Sequence, residues 1–240
     1  METISSKKRL AEILTPVLDY RKVRIHNLGS KEFKHLNLLI FWPVFGLLFQ
    51  YVEKFYPVDY YYPIYCSLDD KIPFCEIFVF PYVFWFLYLL GMHVYTLLYE
   101  PVLFRRMMLF IIITYTATII IYFLFPNCQE LRPTTFEREN ALTRFMEGYY
   151  AFDTNTNVCP SIHVIGSLAV MFAGLHSRKL KGVIWKISFL VTAVLISIST
   201  VFLKQHSVLD IFAAIPICIL GYFLSFTLPS LAEDRVQQST

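Results

Sequence analysis

Apolar residues recur along this chain in six runs, each close to the length needed to cross a bilayer, and that leaves few folds open to it. A membrane span takes roughly 20 apolar residues in a helix. The runs cover residues 36–52 (broken by Pro43 and Gln50), 77–99, 107–125, 160–176, 183–203 and 208–228. Lys186 stands near the start of the fifth run, where a lysine can reach the interface along its own stem. A soluble domain carries about a quarter charged residues. Here only 16% are charged, against 56% apolar and 18% aromatic. The expectation is an all-α integral membrane protein, a six-transmembrane-helix bundle occupying residues 36–228.

Charge in the short connections sets its orientation. Lys7, Lys8, Arg9, Arg21, Lys22, Arg24, Lys31 and Lys34 precede the first run, Arg105 and Arg106 follow the second, and Arg178, Lys179 and Lys181 follow the fourth. The alternate loops are acidic or mixed, with Asp59, Asp69 and Asp70 in 53–76, and Glu130, Glu137, Glu139, Glu147 and Asp153 in 126–159. Both termini are therefore expected on the cytoplasmic side of the cell membrane, with outer loops at about 53–76, 126–159 and 204–207. Residues 1–35, with Leu10, Ile13, Leu14 and Leu18 among basic side chains, read as an interfacial segment rather than a nucleic-acid-binding one. Residues 229–240 read as a cytoplasmic tail. No short apolar core with a small-residue cleavage site marks a signal peptide, and no internal repeat is visible.

Two outer segments carry structure signals of their own. Tyr56, Tyr60, Tyr61, Tyr62 and Tyr65 suit a membrane–water interface. Thr134-Thr135-Phe136-Glu137 has the form of a capping box, which predicts a short helix over 135–148 with Leu142, Phe145, Met146 and Tyr149 on one side, lying on the membrane, lidding the site or packed on the surface. Of the five cysteines, Cys66, Cys75, Cys128 and Cys159 fall in outer loops and Cys218 in the last run. Pairs Cys66–Cys75 and Cys128–Cys159 are conceivable in an oxidising compartment, as are free thiols. No Cys/His spacing typical of zinc occurs.

Polar, proton-handling side chains at the starts of apolar runs are costly unless they do something. In Cys159-Pro160-Ser161-Ile162-His163, proline at the first helical position would leave the following backbone N–H groups, near Ser161, unpaired at the positive end of a helix dipole. Such a helix start suits phosphate, and His163 beside it can give a proton to a leaving oxygen. His206 and Asp210 are four residues apart, so on one helix face the carboxylate would accept from one ring nitrogen and raise the nucleophilicity of the other. Arg132 can hold phosphate in a bidentate grip, and Lys204 adds a second cation two residues before His206. Ordinary readings stand beside these: a capping serine, an interfacial histidine, a satisfied polar pair, a solvated arginine and a snorkelling lysine.

Together these residues resemble the type 2 phosphatidic acid phosphatase (lipid phosphate phosphatase) superfamily. Its signatures Lys-x6-Arg-Pro, Pro-Ser-Gly-His and Ser-Arg-x5-His-x3-Asp are matched by Arg132-Pro133, Pro160-Ser161-Ile162-His163 and Ser199-Thr200-x5-His206-x3-Asp210. Phe125, Ile162 and Thr200 stand where the signatures have Lys, Gly and Arg. The pattern is similar to the branch that includes inositol phosphorylceramide synthases. The resemblance implies His206 as nucleophile, Asp210 as its orienting partner, His163 as proton donor, and Arg132 and Ser161 as holders of the phosphoryl oxygens, with Lys204 a partial substitute for a missing cation. It implies no metal and no cofactor. The substrate implied is a phospholipid or polyprenyl phosphate, among membrane lipids and without nucleic acid. Three functions follow as alternatives: a lipid phosphatase, a phosphotransferase with an alcohol acceptor, and a non-catalytic lipid-binding or transport protein.

Overall fold

Residues 16–228 are described by the structure, a computed structural model. Lys7, Lys8, Arg9, Leu10, Ile13 and Leu14, with residues 229–240, lie outside the described residues. What is described of the N-terminal segment is not one helix but short 3-10 turns at Tyr20–Lys22 and Ile25–Asn27.

The apolar runs are helical. Among the described residues they give α1 (Phe41–Lys54), α2 (Val79–Tyr99), α3 (Pro101–Leu124), α5 (Ile162–His176), α6 (Val183–Phe202) and α7 (Val208–Tyr222), and a further short helix, α4 (Ala141–Phe152), stands between α3 and α5. Five helical stretches are long and apolar enough to cross a membrane: Lys34–Lys54, Glu76–Tyr99, Pro101–Leu124, Val183–Phe202 and Val208–Thr227. The chain is a multi-pass helical membrane protein. The sixth expected span is shorter than expected: α5 has 15 residues, which at the helical rise is roughly 22 Å against a hydrocarbon core of about 30 Å.

That short helix is the middle of the bundle. Val164, Ile165, Gly166, Ser167, Ala169, Val170, Met171, Ala173 and Gly174 are all buried, and Leu168, Phe172 and Leu175 on the remaining face are half-buried. It packs most extensively on α6 and then on α3. Gly174 permits the first contact, since a Cβ there would lie 2.3 Å from the Phe189 ring. On the second side Phe104, Met107, Met108, Phe110 and Ile111 of α3 are fully buried. Apolar side chains left exposed fall at helical spacing on the outer elements, with Phe84, Leu87 and Leu90 on α2, Ile187, Val191 and Val194 on α6, and Phe212, Ile215 and Ile219 on α7. Lipid would cover such stripes; water would not favour them.

Two boundaries move for identifiable reasons. Arg105 and Arg106 are inside α3 rather than in a turn, because the chain reverses at Glu100 and Pro101 starts the next helix, as its missing N–H and fixed φ favour. The helix expected at 135–148 instead starts at Ala141. Asn140 caps it, accepting from the N–H groups of Leu142 and Thr143, while Thr143 Oγ1 accepts from Asn140 N–H and Glu76 holds the Asn140 amide at 2.9 Å. This box is tied to the 3-10 turn Glu76–Phe78 that leads into α2, whereas residues 134–137 are not helical. Met146 of α4 is buried with Val79, Tyr82 and Leu203, and Leu142 and Tyr149 pack on the same cluster, while Phe145 points away at 45% exposure.

At one end of the bundle three connections interlock. Tyr62–Pro63 (β1) pairs in parallel with Asn127–Cys128 (β2). Glu53 accepts from Thr154, Thr156 and Asn157 side chains, and Lys204 Nζ donates to the Asp69 carbonyl at 2.7 Å. At the other end Tyr20 donates to the Leu97 carbonyl and Glu100 accepts from Arg178 N–H. All five cysteines are free thiols.

Candidate active site

The starts of α5 and α7 meet at the interlocked end. Ser161 is the cap of α5, with Oγ accepting from Val164 N–H, so Pro160 stands outside the helix instead of at its first position. Ser161 N–H donates to the Asp210 carbonyl at 3.2 Å, joining the two helix starts directly. The approach to Ser161 is fixed from α3 and β2: Tyr122 OH donates to the Pro160 carbonyl at 2.8 Å, and the Asn127 side chain accepts from Val158 and Cys159 N–H and donates to the Cys159 carbonyl. The N–H groups of Ile162 and His163, first in the helix, have no intrahelical acceptor by geometry.

His206 is placed by a tight turn. The Thr200 carbonyl accepts from both Gln205 and His206 N–H, at 2.9 and 3.1 Å, and Lys204 adopts the left-handed backbone conformation with φ 53°. Ser207 then caps α7 and Asp210 completes the box from the first turn. His206 thus precedes the helix, and it does not share a helix face with Asp210 as their spacing suggests. The capping box makes the contact: Asp210 Oδ2 accepts from Ser207 N–H at 3.0 Å and from His206 Nδ1 at 2.9 Å. A carboxylate that accepts here requires the proton on Nδ1, and in a neutral ring that leaves the lone pair on Nε2.

His163 is held differently. Its ring stacks on Tyr82 at 4.6 Å and lies against Trp85 at 4.5 Å, and its Nε2 is buried with no partner. The two histidine rings meet edge to face, 5.6 Å between centroids. Beside them is a cavity of about 70 Å³ lined by Phe49, Tyr82, Tyr122, Asp153, Thr154, Thr156, Asn157, Val158, Ile162, His163, Gln205 and His206. Among the described residues no three His, Cys, Asp or Glu side chains converge as metal ligands would.

The two cations are engaged elsewhere. Arg132 donates through Nη1 to the carbonyls of Tyr150 and Asp153 and through Nη2 to the carbonyl of Thr154 and Oε1 of Gln205. Its guanidinium lies 4.8 Å over the Tyr150 ring. Burial pulls Arg132 below its ordinary range, with Asp153 opposing, and burial pushes the Asp153 carboxyl up, with Arg132 opposing. Lys204, bonded to the Asp69 carbonyl, does not line the cavity. Burial lowers its affinity for the proton, against the charges of Asp69 and Asp70. Burial, reinforced by neighbouring Asp210, pushes the Cys159 thiol up. Phe125 stacks on Tyr62 at 4.7 Å, and Thr200 Oγ1 turns back on the Ser197 carbonyl, so neither substituted position puts a polar group in the cavity.

Several positioning residues were not legible beforehand. Asp69, fully buried, accepts from Ser207 Oγ at 2.6 Å, Val208 N–H at 2.8 Å and Cys66 N–H at 2.8 Å, so a loop far away in sequence holds the start of α7. Glu53 and Asn127 do the same for residues 154–159. Adjacency to His206 is the one sequence signal for Gln205; an acidic residue in a loop gives none for Asp69.

A family model described as the PAP2 superfamily matches residues 106–234, which include α3 from Arg106 onward, both helix starts and all the side chains the two histidines touch except those of α2. Neither a curated protein nor a solved structure matches the chain.

Proposed function

The chain belongs to the PAP2 superfamily, and on that premise we propose that it is a membrane lipid phosphatase working through a phosphohistidine on His206. His206 Nε2 attacks phosphorus of a lipid phosphate or lipid pyrophosphate monoester, and the bond to the leaving oxygen breaks. His163, protonated, gives that oxygen its proton. Water then attacks the phosphohistidine with His163 taking the proton back, which releases phosphate and restores both rings. Asp210 keeps the Nδ1 proton in place and stabilises the positive charge that grows on His206. The N–H groups of Ile162 and His163, the first in α5 beyond the Ser161 cap, face developing phosphoryl charge with a helix dipole behind them, whereas Ser161 N–H is bonded to the Asp210 carbonyl. Arg132 and Lys204 supply positive potential nearby. The substrate proposed is a phospholipid or polyprenyl phosphate entering from the outer leaflet of the cell membrane.

The observation that carries this reading is the 2.9 Å bond from His206 to a fully buried carboxylate with the His163 ring 5.6 Å away. A panel of lipid phosphates, diphosphates and phosphodiesters, run on the wild type and His206→Ala, tests it; turnover surviving in the variant would sink the assignment.

Transfer to an alcohol is the second reading. What favours it is a cavity wall carrying Asp153 and no Lys or Arg, which suits a less charged phosphodiester better than a dianionic monoester. Free phosphate released without added alcohol supports hydrolysis, and strict dependence on an alcohol supports transfer.

A further inference from the structure

We propose that Gln205 is a phosphoryl-oxygen donor in this site and that Arg132 acts on the substrate through it. The inference rests on the phosphohistidine reading and assigns a residue that reading leaves unused.

Arginine only donates, and its terminal nitrogens carry four N–H bonds in a fixed fork. Here the four go to four acceptors: the carbonyls of Tyr150, Asp153 and Thr154, and Oε1 of Gln205 at 2.6 Å. The three carbonyls belong to the end of α4 and the segment after it, so the guanidinium is anchored there and the fourth contact is its link to the site. Because Arg132 cannot accept, it fixes which end of the Gln205 amide faces it. The oxygen faces Arg132, and the NH2 group is turned the other way.

That NH2 group has no partner. Gln205 is 2% exposed and Nε2 is buried without an acceptor. The residue lines the cavity shared by His163 and His206. A buried donor without an acceptor is rare in a folded protein and asks for an explanation. The nonbridging oxygens of a phosphoryl group at His206 provide one, since they are strong acceptors and Gln205 is the residue immediately before the nucleophile. An amide whose oxygen already accepts from a guanidinium is a stronger donor at nitrogen, as bonds in series polarise one another. Arg132 thus delivers part of its charge through a neutral group that fits a cavity lacking cationic walls.

Steady-state kinetics on one lipid phosphate and inhibition by orthovanadate, a mimic of the phosphoryl transition state, test this with Gln205→Ala, Arg132→Ala and the double variant in the purified full-length protein. Removing one preorganised donor to a developing oxyanion costs about 100-fold in kcat, and Gln205→Ala is expected to lose about that, with orthovanadate binding weakened in parallel. Arg132→Ala should lose a similar factor. The double variant should be no worse than the poorer single one, within about 3-fold, because the two act as one unit. Gln205→Glu keeps an oxygen toward Arg132 and removes the donor, so it should retain the wild-type melting temperature while losing at least as much activity as Gln205→Ala. Losses that multiply in the double variant would overturn the proposal, because Arg132 would then act independently. Orthovanadate affinity unchanged in Gln205→Ala would overturn it too, leaving water as the partner of Nε2. His206→Ala separates the two levels: activity retained there refutes the phosphohistidine reading itself, whatever Gln205 does.

Discussion

The starts of α5 and α7 are built alike and treat their histidines in opposite ways. Each has a serine cap whose side chain accepts from the first turn, and the two are joined by one backbone bond from Ser161 to Asp210. At α7 a carboxylate in the first turn holds His206 by Nδ1, the arrangement that would leave Nε2 for the proposed attack. At α5 the fourth position of the cap is Val164, and His163 is gripped by two aromatic faces instead, with Nε2 unpaired. A histidine fixed by an acid suits attack on phosphorus; one fixed by stacking keeps its nitrogen free to pass a proton in both directions. The difference comes down to what the helix puts in its first turn.

The comparison breaks most completely at His206. His206→Ala should lower kcat by about 10⁴-fold or more, since it removes the proposed nucleophile. Asp210→Asn keeps the helix start but offers its amide where the carboxylate was, and a loss of about 10³- to 10⁴-fold in kcat is expected from a misplaced imidazole tautomer. His163→Gln tests the other side. It should cost about 10²- to 10³-fold with an alkyl lipid phosphate and much less with a p-nitrophenyl phosphate, whose leaving group needs no proton; equal losses on both substrates would take the proton-donor role from His163. Asp69→Asn sharpens the account of α7, because it weakens the acceptor for Ser207 Oγ and Val208 N–H at a buried site. A cost of about 1–3 kcal/mol in stability is expected there, read as a lower melting temperature, with KM little changed.

The smallest effect concerns the carboxylate in the cavity wall. Burial raises Asp153 above the ordinary carboxylate range, with Arg132 opposing. A raised folded value means the native state holds this proton more tightly than the unfolded chain does. Its stabilising contribution is present below the unfolded value and is lost as pH rises through the folded one. Asp153→Asn should therefore gain melting temperature relative to the wild type as pH rises from acid to neutral; a gap independent of pH would contradict this.

Much of the site was legible because its chemistry is local. His206 and Asp210 are four positions apart, and Ser161 and His163 two, so a short helix start carries each pair. The helical runs were legible from apolar length, yet the length of α5 was not, since a run does not show where a cap ends the loop. Gln205, Asp69 and Glu53 escaped for a different reason. Each matters through a partner in another connection, 73, 138 and 104 residues away, and no period in the sequence records such a pairing. Arg132 was legible as a residue and not as a contact: its fork was expected on phosphate and is spent on three carbonyls and an amide.

The central claim is that His206, and not His163, carries the phosphoryl group. Rapid mixing with a lipid phosphate followed by an alkaline quench, which preserves phosphohistidine, and mass spectrometry of the digested protein would read it directly. A phosphoryl group on the peptide containing His206, absent in His206→Ala, is the predicted result. Label on His163, or turnover with no labelled histidine at any time, would contradict it.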